Sequence, residues 1–316
     1  MLVLVAHSLG GFVSQFAYTF HMPLFFIVTG LFISEYSFQK EETFCEWWLE
    51  RARRDFKRLI IPALLTIAVI LSVSCLFFSF PNSYFTNPAQ LIWNSHPEKP
   101  FEYVNMLGNL WFLFALFFAK QGFYLVRQLP NKKLLPYVCL IIGAFTIILA
   151  QYVVFPLDIS VGLSVLPFIW VGYFVKRQGG LDKGIIPRWA WLLVVIWAFY
   201  VFYGKLRVGE MHYSWGYLPD IIAAIGGTFL FYEVSKIIDV KTKYMSRCLS
   251  FLGVYSLLLI CAPSIETYCF PMQYILPQMP FRSLAIIMGK VAWCAIFVYA
   301  CLRIPLLRKL FSIKAS

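Results

Sequence analysis

The sequence predicts an all-α polytopic membrane protein, and three observations predict it. Composition is the first: 60% of the 316 residues are hydrophobic, 13% are charged, and mean hydropathy is +0.74. The second is a succession of nine long apolar runs behind one short one, each near the roughly 20 residues that a bilayer core demands. The third is the sorting of basic residues by loop parity. Loops near 35–58, 127–133, 176–188 and 236–248, with the tail from Arg303, hold 21 of the 27 Lys and Arg residues. The alternate loops near 81–105, 156–160, 204–216 and 270–282 hold four: Lys99, Lys205, Arg207 and Arg282. A soluble protein has no reason to sort charge this way. An inserted one does, because basic loops stay on the cytoplasmic side.

The runs give about ten transmembrane helices. A short first one covers Met1 to about Val13. The others span about 18–34, 59–80, 106–126, 134–155, 161–175, 187–203, 217–235, 249–269 and 283–303, with ends placed to within a few residues. Ten helices put both termini on one side, and the basic tail (Arg303, Arg308, Lys309, Lys314) makes that side cytoplasmic. The first helix is anomalous. About a dozen residues at 1.5 Å rise cannot cross a core about 30 Å thick. Either the true start lies upstream, or this helix is a truncated remnant that does not span. Between about Gln39 and Arg58, Phe44, Trp47 and Trp48 recur at helical spacing beside Arg51, Arg53, Arg54, Lys57 and Arg58. Such an amphipathic segment lies along a membrane surface.

Other classes fall away. In lipid the backbone must satisfy itself, so the runs are helices; a barrel would alternate apolar and polar residues, and these runs do not. The net charge of +12 is segregated to one face, which fits contact with anionic lipid head groups and not with nucleic acid. Eight scattered cysteines with no CxxC pair support neither a disulfide framework nor a metal site. The N-terminus lacks the basic residues of a cleavable signal. One membrane domain, 1–316, with no appended soluble domain is expected.

Ionisable residues inside apolar runs are functional candidates, because burying them costs free energy. His7 and His21 come first, flanking the expected turn between the first two helices. Imidazole exchanges a proton near neutral pH, which suits a general base; the alternative is a histidine that binds a backbone carbonyl and tightens the hairpin. The group Arg53, Arg54, Lys57 and Arg58 comes second, with Arg54 and Arg58 four residues apart on one helix face. It suits the phosphates of a cytoplasmic cofactor, or it anchors the chain to lipid. Lys120, Lys290, Asp220, Glu233 and Glu266 complete the set. Lys120 and Glu233 fall near cytoplasmic ends, where they can snorkel; Glu266 and Lys290 lie deeper, where they can pair.

Five stretches carry a resemblance. FHMPLFFIVTGLFIS (20–34) and RARRDFKRLIIPALL (51–65) come first; NLWFLFALFF (109–118), LPFIWVGYFVKR (166–177) and LSFLGVYSLLLI (249–260) follow in order. Together they resemble the integral-membrane acyltransferase type 3 family, which includes O-acetyltransferases of lipopolysaccharide, exopolysaccharide and other sugars. The resemblance covers nearly the whole chain. It implies a bacterial inner-membrane O-acyltransferase, with acetyl-CoA as donor, no metal, and a carbohydrate acceptor that is lipid-linked in some cases. It implies a catalytic role for His7, which matches the family's histidine, with His21 in support. It implies cofactor binding by the basic group and acceptor binding by Trp111. The family also places an arginine about three helical turns before its histidine, and this chain begins too late to hold one. Many relatives carry a histidine where this chain has Pro263, which predicts a kink there. The rival readings are a transporter of polysaccharide intermediates and an inactive structural homologue.

Overall fold

The computed structural model describes residues 11–33, 43–77, 108–153, 155–179, 190–270 and 282–311. The chain enters as α1 (Gly11–Tyr18) and α2 (His21–Leu31), separated by a turn at Thr19 and Phe20. Gly11 takes a positive φ of 54°, a conformation that glycine adopts without steric penalty. Together α1 and α2 make one apolar span of 21 residues. The helix expected from about residue 18 therefore begins seven residues earlier. Most of the expected first helix, His7 included, lies outside the described residues.

The amphipathic segment is helix α3 (Phe44–Asp55), and its sequence explains its start. Thr43 and Glu46 form a reciprocal capping box: the Thr43 N–H donates to Glu46 Oε2 at 2.8 Å, and the Glu46 N–H to Thr43 Oγ1 at 3.3 Å. A π-helical turn over Phe56–Ile60 then leads into α4 (Ile61–Phe77). There follow α5 (Trp111–Val126), α6 (Leu135–Ala150), α7 (Ile159–Ser164), α8 (Leu166–Arg177) and α9 (Ala190–Tyr203). Next come α10 (Tyr217–Lys241), α11 (Lys243–Val254), α12 (Ser256–Cys269), α13 (Arg282–Arg303) and α14 (Pro305–Leu310). A two-stranded hairpin, β1 (Leu206–Arg207) and β2 (His212–Tyr213), interrupts the helices before α10.

The all-α membrane architecture stands, but the count of ten spans is not reached among the described residues. Five helices are long and apolar enough to cross, and two bent pairs raise the number to seven. The pairs are Pro156–Ser164 with Leu166–Arg177, bent by 51°, and Lys243–Val254 with Ser256–Thr267, bent by 69°. Helices α5 and α9 are apolar but shorter. The kink expected at Pro263 falls instead at Tyr255, and α12 runs through the proline. The indole N–H of Trp293 donates to the neighbouring Ala262 carbonyl at 2.7 Å and ties that stretch to α13.

Packing is closest where side chains vanish. A Cβ on Gly30 would lie 2.1 Å from the Ile169 carbonyl oxygen, and one on Gly172 would lie 1.9 Å from that of Ile27. Helices α2 and α8 therefore meet backbone to backbone, the contact that small residues permit in membranes. Phe26, Phe112, Phe123, Phe168, Leu166 and Ile169 are buried around this seam.

Helix direction sets two poles. At one, the Arg127 guanidinium beyond α5 lies 5.6 Å from the Trp47 ring of α3 and 5.8 Å from the Tyr173 ring of α8. There Lys176 Nζ also donates to the Ile33 carbonyl at 2.8 Å. This is the basic pole. At the other, the hairpin covers the start of α5, where a Cβ on Gly209 would sit 2.8 Å from the Trp111 ring. Gln15 of α1 donates there to the carbonyls of Val201 (3.1 Å) and Gly204 (3.0 Å).

Candidate functional site

The sequence candidates divide between the poles. His21 belongs to the α1–α2 span and is 5% exposed. It is the first residue of α2, directly after the turn at Thr19 and Phe20, so it sits at the mouth of that helix as the sequence placed it, within the joint α1–α2 span. Its Nδ1 is 2.6 Å from the Ala17 carbonyl oxygen. A carbonyl can only accept, so Nδ1 carries the hydrogen, and in the neutral ring the lone pair belongs to Nε2. The carbonyl bond weighed as the alternative to base catalysis is thus present, and it fixes the tautomer a base needs. The Tyr18 ring is 5.3 Å away. Tyr18 in turn lies within electrostatic reach of Arg207 and Glu210 on the hairpin.

Trp111 is partly buried under the hairpin, at the start of α5. Its neighbour Phe112 packs on Phe25 and Phe26 of α2, with ring centroids 5.4 and 5.3 Å apart.

The basic group occupies the opposite pole. Arg53, Lys57 and Arg58 are exposed at the end of α3 and on the π turn, and Arg54 is half-buried. Arg54 is committed to Glu50 at 3.0 Å. Arg53 lines a shallow groove of about 250 Å³ with Leu49, Ala52, Phe56 and Phe117. A π turn often marks a functional position in a helix, and this one presents two of the four expected phosphate ligands. Trp111 and Lys120 are nine residues apart on α5, about 14 Å of helix rise, so the structure does not bring Trp111 and the basic group together.

Below the basic group lies a network the sequence did not disclose. Asp55, buried, takes an ion pair from Lys120 on one carboxylate oxygen and a hydrogen bond from Gln121 at 3.2 Å on the other. Lys120 therefore pairs inside the protein and does not snorkel. Glu233 pairs with Lys236 at 2.9 Å. The expected Glu266–Lys290 pair does form, at 3.3 Å, with the Glu266 side chain 1% exposed.

The hairpin pole holds a second polar cluster. Asp220, named from the sequence without a role, is fully buried and accepts the Trp215 N–H on Oδ1 at 3.1 Å. Its Oδ2 has no hydrogen bond. The Tyr200 hydroxyl faces it, and the Tyr213 hydroxyl lies beside Ser164. Neither hydroxyl completes a hydrogen bond. Burial pushes the Tyr213 phenol up to about 12. Tyr217 closes the cluster by donating to the Ser164 carbonyl at 2.5 Å. Tyr200 and Tyr213 gave no sequence signal, since aromatic residues are common throughout this chain.

A family model for an acyltransferase domain matches residues 1–303. The chain belongs to the acyltransferase type 3 family. No curated protein and no solved structure matches it. The family makes the protein an acyltransferase, and its apolar helices make it an integral membrane protein. Within that frame the two poles offer an acyltransferase different chemistry. The basic pole presents exposed cations suited to an anionic group, and the hairpin pole presents buried neutral and acidic oxygens beside aromatic rings.

Proposed function

We propose that this acyltransferase moves an acetyl group from acetyl-CoA to a hydroxyl of a cell-envelope or exported carbohydrate. The observation that carries the reading is the family match over residues 1–303, which includes the segment holding His7. In this reading the acceptor hydroxyl attacks the thioester carbonyl while a histidine takes its proton. The tetrahedral intermediate collapses, expels the CoA thiolate, and the imidazolium returns the proton to sulfur. His7 is the base. His21, held by the Ala17 carbonyl, supports it from the start of α2.

Arg53, Lys57 and Arg58 suit the donor phosphates: they are exposed at the pole where basic loops gather, and guanidinium forks grip phosphate bidentately. Arg54 contributes less, because Glu50 already engages it. Trp111, next to the hairpin, lines the acceptor side. The charge sorting supports a basic pole facing the cytoplasm of a bacterial inner membrane, with both termini there. A cysteine probe at Asn94 should then react with an impermeant maleimide from outside, and one at Gln39 should not.

The test of function is transfer of labelled acetyl from acetyl-CoA to envelope glycan by the purified protein in lipid. His7→Ala should abolish transfer while the protein stays folded in the membrane, and His21→Ala should reduce it in part. Glycan export that continues in a His7→Ala strain, without acetyl transfer by the wild type, would favour the transporter reading instead.

A further inference from the structure

We propose that Asp220, Tyr200 and Tyr213, beneath the Leu206–Tyr213 hairpin, bind the hydroxyl groups of the acceptor. The proposal deepens the acyl-transfer reading and relies on it for one point, that the ligand is a carbohydrate. Three buried polar atoms at this pole lack hydrogen-bond partners: Asp220 Oδ2, the Tyr200 hydroxyl and the Tyr213 hydroxyl. Asp220 and Tyr200 have no exposed surface at all. Protein interiors rarely leave polar atoms unmatched, and each that remains calls for an explanation.

The donor and acceptor inventory identifies the ligand. An ionised carboxylate oxygen can only accept, whereas a phenol can donate or accept. A metal cation would want several charged oxygens, and the cluster offers one carboxylate. A phosphate would meet no cation among these three residues. A neutral ligand with several hydroxyls satisfies all three atoms. Apolar rings stand beside the polar ones: Trp215 is exposed with its ring centroid 4.9 Å from that of Tyr200, and Trp111 lies under Gly209. Aromatic walls with a few placed polar groups are the usual makeup of a small-molecule site.

The cover over these atoms is the hairpin, whose Leu206 and Val208 are themselves buried. The hairpin has two residues per strand and an exposed Arg207–Glu210 ion pair at 3.0 Å. Its Arg207 and Glu210 also lie within electrostatic reach of Tyr18, whose ring is 5.3 Å from that of His21.

The variants separate binding from architecture. Tyr200→Phe and Tyr213→Phe each delete a hydroxyl that completes no well-aligned hydrogen bond, though that of Tyr200 lies beside the Asp220 carboxylate and that of Tyr213 beside Ser164, so a folded protein should lose little by them. Asp220→Asn keeps an Oδ1 acceptor for the Trp215 N–H and turns the unpartnered oxygen into a donor. Saturation-transfer NMR on the protein in nanodiscs would use the methyl glycosides of glucose, galactose, mannose, rhamnose and N-acetylglucosamine as probes.

At least one glycoside should bind the wild type. Its Kd should rise about tenfold in each variant, with the melting temperature unchanged or raised. The proposal is overturned if no glycoside binds the wild type, or if the variants bind as the wild type does. A fall in melting temperature with binding unchanged also overturns it, and assigns a buried water to the cluster. Failure of the broader reading looks different. Glycoside binding without acetyl transfer keeps this site and removes the enzyme. Acetyl transfer with an unchanged acceptor KM in all three variants keeps the enzyme and removes this site.

Discussion

Asp55 and Asp220 are both buried carboxylates on helices of this bundle, and they are treated in opposite ways. Asp55, at the basic pole, has both oxygens occupied, one by the Lys120 ammonium and one by the Gln121 amide. Asp220, at the hairpin pole, has one oxygen on the Trp215 N–H and the other without a hydrogen bond. A buried charge that is fully paired holds helices together: here it ties the end of α3 to α5, just before the π turn that presents Lys57 and Arg58. A buried carboxylate with one oxygen unbonded leaves a free acceptor site, which the proposed acceptor hydroxyl would fill. The difference sets a paired scaffold acid against the proposed site acid in a chain where both are surrounded by apolar neighbours.

The comparison can be broken most forcefully at Asp55. Asp55→Ala leaves the Lys120 ammonium without its carboxylate, which should destabilise the protein by about 3–5 kcal/mol. Thermal unfolding in detergent would register this, and the double variant Asp55→Leu with Lys120→Met should recover most of it. A neutral Asp55→Ala would place the pair outside the scaffold.

Gly30→Ala comes next. The added methyl meets the Ile169 carbonyl oxygen, a backbone atom that cannot swing away, and the overpacking should cost about 1–3 kcal/mol. Gly209→Ala presses the hairpin off the Trp111 ring. It should weaken acceptor use more than it lowers the melting temperature, as steady-state kinetics beside calorimetry would show. Smallest of all is Arg54→Lys, which alters an exposed helical pair with Glu50 worth at most about 0.5 kcal/mol. It should leave both melting and donor KM nearly unchanged.

Much of the architecture was legible because hydropathy and charge sorting are properties of position along a line. The amphipathic α3 was readable from Phe44, Trp47 and the arginines, whereas its start at the Thr43–Glu46 capping box was not read from the sequence. The Glu266–Lys290 pair was within reach because both are lone charges in apolar runs. Bends were read less well. The bend at Val165 has a local cue in Pro167, at the first turn of α8. The bend at Tyr255 falls between Gly253 and Ser256, a local cue that Pro263, eight residues on, overrode. The Asp55–Lys120 pair joins residues 65 positions apart, which no periodicity reveals. Asp55 was also masked by the arginines around it. The hairpin cluster depends on tertiary contact in the same way: Tyr200, Tyr213 and Asp220 fall on three successive elements whose meeting is set by the turn between α9 and α10.

The two proposed roles divide labour between the poles, with donor phosphates at the basic pole and acceptor hydroxyls at the hairpin pole. A crossed kinetic measurement tests it most directly, with both Michaelis constants determined for Arg58→Lys and Tyr213→Phe in lipid. Arg58→Lys keeps the charge but loses the guanidinium fork. It should raise the KM for acetyl-CoA several-fold and leave the acceptor KM alone. Tyr213→Phe should raise the acceptor KM and leave that for acetyl-CoA alone. Both variants moving the same constant, or neither moving any, would contradict the account.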